Sequence, residues 1–314
     1  MGTSRWGRLV SSCEETHRSS IVIPVALLAA SAVTMAIAGL LASELDPFEP
    51  SAWTAPGLLS ALAYTLWMLA IVATHEAGHY VAARRRGVDV SRPYFLPGIG
   101  PIPELGVIPF FGTFGAFIRM KLKKVKASEL MAIAGWGPVA GFAVTVPAVF
   151  IGVALSEPMM IADDDSVLLL GDSLLMVAAT MLFHPEMQQG YELMLHPIGL
   201  AGWVGCLLTA LNLLPMGQLD GGHLLYAVLG ERAQLLSKVA FGVLIALGIF
   251  YFPGWLLLVL LVWWMGVEHP PILDGEPAPP GQRVMAWGCL IIFALTFAPA
   301  PVIVDALPQW LGLM

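Results

Sequence analysis

Apolar runs at residues 21–41, 58–81, 129–155, 197–214, 238–252, 254–267 and 285–302 divide this chain, and its charged residues gather between them. A helix rises about 1.5 Å per residue and a bilayer's hydrocarbon core is about 30 Å thick, so roughly 20 apolar residues make one crossing. The pattern predicts an all-α polytopic membrane protein of about six or seven transmembrane helices. Only Phe252-Pro253-Gly254 parts the runs 238–252 and 254–267, which fits either a tight hairpin or one kinked helix. The first run lacks a signal peptide's short apolar core and small-residue cleavage site, and reads as a retained span.

Two further apolar stretches break the pattern. Residues 167–183 are interrupted by Gly171-Asp172 and read as an interfacial or packed helix rather than a span, with a solvated loop as the other reading. Residues 92–120 are studded with proline and glycine, so no straight helix forms there. Irregular backbone at membrane depth has to be covered by protein or line a cavity; a loop lying on the bilayer surface is the alternative.

Composition narrows the class. Of 314 residues, 58% are hydrophobic and 12% charged, and the mean hydropathy of +0.80 excludes an ordinary soluble domain. A net charge of -7 leaves no footprint for nucleic acid. Cys13, Cys206 and Cys289 have no disulfide or metal spacing, so any metal here is not held by thiolates. Lysine and arginine set orientation. Arg5, Arg8 and Arg18 precede the first run, predicting a cytoplasmic N-terminus. Arg84–Arg86, Arg92, Arg119, Lys121, Lys123, Lys124 and Lys126 put the stretch after the second run on the same side. Glu44, Asp46 and Glu49 mark one outer loop, and 156–196, without lysine or arginine, another.

The chemistry sits in His75-Glu76-Ala77-Gly78-His79, inside the second apolar run. On a helix, His75 and His79 at i, i+4 share a face and can offer two imidazoles to one ion, while Glu76 can handle the proton of a bound water. Ionisable groups in hydrocarbon are costly unless paired or ligating, which favours a metal site. Small Ala77 and Gly78 leave room for a close partner helix. A second motif, LNLLPMGQLDGGH at 211–223, ends an apolar run at Pro215 and presents Asp220 beside glycines. Asp-Gly is by itself a common turn. Two histidines and one aspartate leave a fourth tetrahedral position for water, the open arrangement of a catalytic Zn2+. Both motifs reach the same cytoplasmic depth only if 167–183 does not cross. His223, just past the turn, reads as a supporting or helix-start residue; His184 and His196 read as outer interface residues, and His269 lies in a proline-rich turn.

Together HEAGH at 75–79, the glycine-rich AGWGPVAGF at 134–142 and LNLLPMGQLDGGH at 211–223 resemble the site-2 protease family of intramembrane zinc metalloproteases, over roughly residues 57–225. The resemblance implies Zn2+ held by His75, His79 and Asp220, Glu76 as general base, and Asn212 contacting substrate or the oxyanion. It also implies that 109–120 forms a re-entrant β-hairpin and edge strand holding an unwound substrate, with Gly112, Phe114 and Gly115 as substrate-binding positions. The expected organisation is a tail and first helix at 1–56, a catalytic transmembrane core at 57–230 and C-terminal helices at 231–314.

The expected activity is hydrolysis of a peptide bond within the transmembrane segment of single-span membrane proteins, as in regulated intramembrane proteolysis. The expected setting is the cell membrane, with the active site toward the cytoplasm and the lipid bilayer as a partner. Two rivals are a non-catalytic zinc-binding protein that binds membrane helices and a metal-ion transporter. A binder has no need of Glu76, and a transporter spreads its ionisable groups across the spans.

Overall fold

The computed structural model describes residues 21–98, 111–120, 125–160, 168–187, 190–269 and 277–304. The arginines expected to orient the N-terminus, Lys121, Lys123, Lys124 and Asp163–Asp165 lie outside these residues. The helices are α1 (Val22–Leu41), α2 (Ala55–Arg85), α3 (Ala127–Ala154), α4 (Leu174–Phe183), α5 (Pro197–Asn212), α6 (Asp220–Leu229), α7 (Ala233–Phe250), α8 (Gly254–Met265) and α9 (Val284–Thr296). The strands are β1 (Tyr94–Pro97), β2 (Thr113–Phe117), β3 (Glu157–Met160), β4 (Leu168–Leu170), β5 (Tyr191–Met194) and β6 (Val302–Val304).

A glycine ladder joins α2, α3 and α5. The contacts Gly141 with His75 and Gly137 with His79 run α3 antiparallel to α2. Gly205 against Thr145, Gly202 against Val149 and Gly199 against Gly152 do the same for α5 on α3. Lipid tails are as apolar as leucine, so close backbone approach through small residues drives such packing. A methyl at Gly152 would meet the Gly199 backbone directly. Met68, Val72, Val149, Val153, Val204 and Trp203 fill the space between these helices.

Among the described residues, four stretches are long and apolar enough to cross a membrane: Val22–Leu41, Ala55–Arg85, Ala127–Ala154 and Asp220–Phe250, the last interrupted by a 3-10 turn at Gly230–Arg232. The expected six or seven spans are therefore not all carried by helices of spanning length. Prolines and glycines explain the shortfall. Pro197 starts α5 and the chain leaves the helix at Leu213, just before Pro215, after 16 residues; α8 is held to 12 between Pro253 and Gly266. The run 285–302 yields only 13 helical residues before Pro299 and Pro301, and its end becomes β6. Residues 238–267 resolve as a hairpin, because Lys238 Nζ near the start of α7 lies 2.7 Å from Glu268 Oε1 beyond the end of α8.

The architecture is also less purely helical than expected. Antiparallel β3–β5 and β4–β6 pairs flank α4, far from Arg84–Arg86. The 10-residue α4 is too short to cross and packs on α3, agreeing with a non-spanning segment. The His184 ring nitrogen donates to Val153 O at 2.8 Å, and Trp203 Nε1 donates to Gly171 O at 2.8 Å, tying this cap to α3 and α5.

Strands β1 and β2 form an antiparallel pair with Tyr94 opposite Phe117 and a bulge between Phe95 and Pro97. Their distal end reaches into the helices. Tyr64 Oη donates to Phe111 O at 2.8 Å and Thr34 Oγ1 to Gly112 O at 2.6 Å. Tyr64 lies 11 residues before His75 on α2, about 16 Å along the axis, so this hairpin is held well within the length of α1 and α2. Residues 109 and 110 fall outside the described residues.

Candidate metal centre

A 31-residue α2 carries HEAGH in its last third, so the periodicity of 3.6 stacks His75 below His79 on the face toward α3 and α5. Both rings are buried, at 7% and 5% exposure. Space for them comes from α3: a Cβ on Gly137 would land on the His79 imidazole, and one on Gly141 would approach His75 Cβ to 3.1 Å. Gly78 packs on the Trp136 backbone, so its smallness does serve a close partner helix, whereas Ala77 stays exposed.

Asp220 arrives by a different route. After α5 the chain turns through Leu213–Leu219, with Gly217 at φ 58°. Gly221 and Gly222 then let the first turn of α6 lie against the carbonyls of Leu213, Met216 and Gly217. Asp220 opens α6, where a carboxylate is favoured by the helix dipole.

These elements bring three donor atoms together. His75 Nε2 and His79 Nε2 are 3.0 Å apart, and Asp220 Oδ2 lies 3.3 Å from the first and 3.2 Å from the second. A tetrahedral Zn2+ with ligand distances of about 2.0–2.1 Å sets its donors roughly 3.3–3.4 Å apart, so the triangle is close to one face of such a site. The tautomer agrees. His79 Nδ1 lies 2.8 Å from Ile133 O, and a carbonyl only accepts, so Nδ1 carries a proton and Nε2 is the ring nitrogen left to face an ion. Orientation of a ligating histidine by a backbone carbonyl is the usual support for a metal.

Glu76 is 6% exposed and makes no hydrogen bond to any described residue. Asn212, the last residue of α5, points Nδ2 toward His75 Nε2 at 3.4 Å. His75, Glu76, His79, Asn212 and Asp220 thus converge. Among the described residues, His75, His79 and Asp220 form the one group of three or more ligand-type side chains close enough to hold an ion.

Gly112 immediately precedes β2, and Phe114 and Gly115 lie within it. Gly112 has φ 75° and abuts the backbone of Thr34 and Met35, an anchoring role beside α1. Gly115 has φ 91° with open space around it, and Phe114 is 55% exposed. The sequence reading missed two features. The Ile133 carbonyl carries no side-chain signal at all. His269, assigned to a turn, is buried with Nε2 2.6 Å from His223 Nδ1. His223 itself is buried within the first turns of α6.

A helical chain with membrane-length segments and a largely buried donor triangle that could hold an ion defines a class, membrane proteins with an internal candidate metal site. Peptidase family M50 matches residues 63–252, which contain every member of that triangle, and the chain belongs to this family. It is 30% identical over 251 residues to the probable zinc metalloprotease EGY1, chloroplastic, of Arabidopsis thaliana, covering 78% of this chain and 44% of that protein. The EGY1 protein of Oryza sativa subsp. japonica is 32% identical over 251 residues, covering 78% and 42%. A probable zinc metalloprotease EGY2, chloroplastic, of Oryza sativa subsp. indica is 26% identical over 230 residues, covering 72% and 40%. The chain thus spans less than half the length of these relatives.

Proposed function

We propose that this chain is a zinc metalloprotease that hydrolyses a peptide bond within the transmembrane segment of single-span membrane proteins. The observation that carries the reading is the triangle of His75, His79 and Asp220 with unpaired Glu76 one residue along the same helix. Membership of a peptidase family and the names of the relatives point the same way.

His75, His79 and Asp220 would hold Zn2+. When bound, Zn2+ supplies Lewis acidity and brings the pKa of a bound water toward 7. Glu76 takes a proton from the attacking water and returns it to the leaving amine. Asn212, whose amide Nδ2 lies 3.4 Å from His75 Nε2 at the edge of the triangle, stabilises the developing oxyanion. A substrate helix hides its carbonyls in i→i−4 bonds, so it must unwind first. Strand β2 offers extended backbone for the unwound segment, with Phe114 exposed and Gly112 and Gly115 shaping the strand. We place the chain in the cell membrane with Arg84–Arg86 on the cytoplasmic side, following the bias of basic residues. Release of a membrane-tethered regulator, as in regulated intramembrane proteolysis, is the use this reading assigns.

The test is metal analysis with cleavage of a model single-span substrate by wild type and Glu76→Gln. The reading expects zinc in both proteins and cleavage about 10²–10⁴-fold slower in the variant. Equal cleavage by the two would remove Glu76 from the chemistry, and zinc-loaded protein inert toward every membrane substrate would favour a binder.

A further inference from the structure

The helix that delivers Asp220 starts without a side-chain cap. Leu219 at its N-cap offers no side-chain hydrogen bond, so the amides of the buried first turn gain nothing from a side-chain cap. Besides the packing of Leu224 and Ala227 against α3, the start of the helix is tied to the chain segment around the end of α8. Gly217 N donates to Val267 O at 2.8 Å, and Gln218 Nε2 donates to Met265 O at 3.4 Å. At the other end of α6, Ala278 N donates to Ala227 O at 2.8 Å.

His269 sits between these backbone ties and is 5% exposed. Its Nε2 is 2.6 Å from His223 Nδ1, and its ring stacks on Tyr226 at 4.4 Å between centroids and 22° between planes. His223 and Tyr226 are three residues apart on α6, so they share a face, and Asp220 lies one turn earlier on that side. One imidazole therefore grips two consecutive turns of the helix whose first residue completes the donor triangle.

We propose that His269 is a positioning residue of the metal centre, which acts through His223 to fix the start of α6 and so the Asp220 carboxylate. The inference rests on the reading of His75, His79 and Asp220 as the metal site. Ligand distances in such sites are held within about 0.2 Å, so a modest slide of α6 moves Asp220 Oδ2 out of its 3.2 and 3.3 Å approaches to the two histidines. Groups that orient metal ligands change metal affinity by about 10–100-fold when removed.

The experiment uses the full chain in detergent and measures the Zn2+ dissociation constant by chelator competition, with the visible spectrum of the Co2+-substituted protein as a second readout. His269→Ala should weaken Zn2+ binding about 10–100-fold and alter the Co2+ spectrum, lowering kcat with KM unchanged. His269→Gln places an amide near the lost Nε2 and should recover most of the affinity. His269→Phe keeps the stacking on Tyr226 without a nitrogen and should behave as His269→Ala does, which covers the case where the alanine variant fails to fold. His223→Ala should show the same loss, and the double variant should be no weaker than either single one. Unchanged affinity in His269→Phe, or additive losses in the double variant, would overturn the proposal. Glu76→Gln serves as the control. If neither it nor the wild type binds Zn2+, the metal reading itself fails and not only the role of His269.

Discussion

Adding one methyl at Gly137 should unseat a metal ligand without touching any ligand in the sequence. A Cβ there would overlap the His79 ring, closest to Nε2, the atom that faces His75 and Asp220. Ordinary carbon contacts lie at about 3.5–4.0 Å, so the ring has to retreat by more than ~1 Å. It cannot do so freely, because Nδ1 is tied to Ile133 O at 2.8 Å and the ring is 95% buried, with 5% exposure. Ligand distances tolerate about 0.2 Å, and the shift exceeds that several-fold. Gly137→Ala should therefore lose more than the ~100-fold in Zn2+ affinity that marks the upper range for disturbed supporting groups. Gly141→Ala is the graded comparison, since its Cβ would approach His75 Cβ to 3.1 Å and Nδ1 to 3.2 Å. A few tenths of an ångström relieve that contact, so Zn2+ affinity should fall by less than about 10-fold. Chelator competition on the two purified variants reads the difference. Equal affinities, or a Gly137→Ala protein that binds Zn2+ as the wild type does, would refute the packing argument.

Alanine at His75, His79 or Asp220 should each reduce zinc occupancy in metal analysis of purified protein, and full zinc in Asp220→Ala would send the search for a third ligand to His223. Asn212→Ala should keep zinc but lower kcat about 10²–10³-fold, as expected for an oxyanion donor; steady-state kinetics with an unchanged kcat would exclude that role. Gly152→Ala forces a methyl against the Gly199 backbone at the far end of the α3–α5 contact, which should cost about 1–3 kcal/mol of stability while the folded fraction keeps its zinc, as thermal denaturation with metal analysis would show. Saturating zinc should stabilise the wild type by about 2.7 kcal/mol at 100 times its dissociation constant and leave His79→Ala unshifted.

The donor triangle was legible because its parts are local. His75 and His79 are fixed by helical spacing, and Asp220 is announced by the glycines that let the chain turn. The partner helix was legible through Gly135, Gly137 and Gly141 as a composition, but not which of them faces which histidine. That is a matter of rotation about α3, and two prolines within its 28 residues blur the periodicity. Span number failed for a related reason: hydropathy averages over residues that proline and glycine remove from a helix, so α5, α8 and α9 came out short. The outer strand pairs depend on partners such as Leu170 and Val302, which are 132 positions apart, and no short-range pattern encodes them. His269 escaped because its partner lies 46 residues away and its own neighbourhood reads as a turn.

Mapping the scissile bond in a single-span substrate by mass spectrometry shows whether cleavage occurs at the depth of the metal centre. His75 and His79 precede Arg84 by nine and five residues on one continuous helix, which sets the metal roughly 7–14 Å inside the basic boundary. The expected cut falls within the substrate's transmembrane segment, in the half nearer the side occupied by Arg84–Arg86, and releases a fragment with a short apolar end. A cut outside the segment, or in its distal half, would contradict that placement.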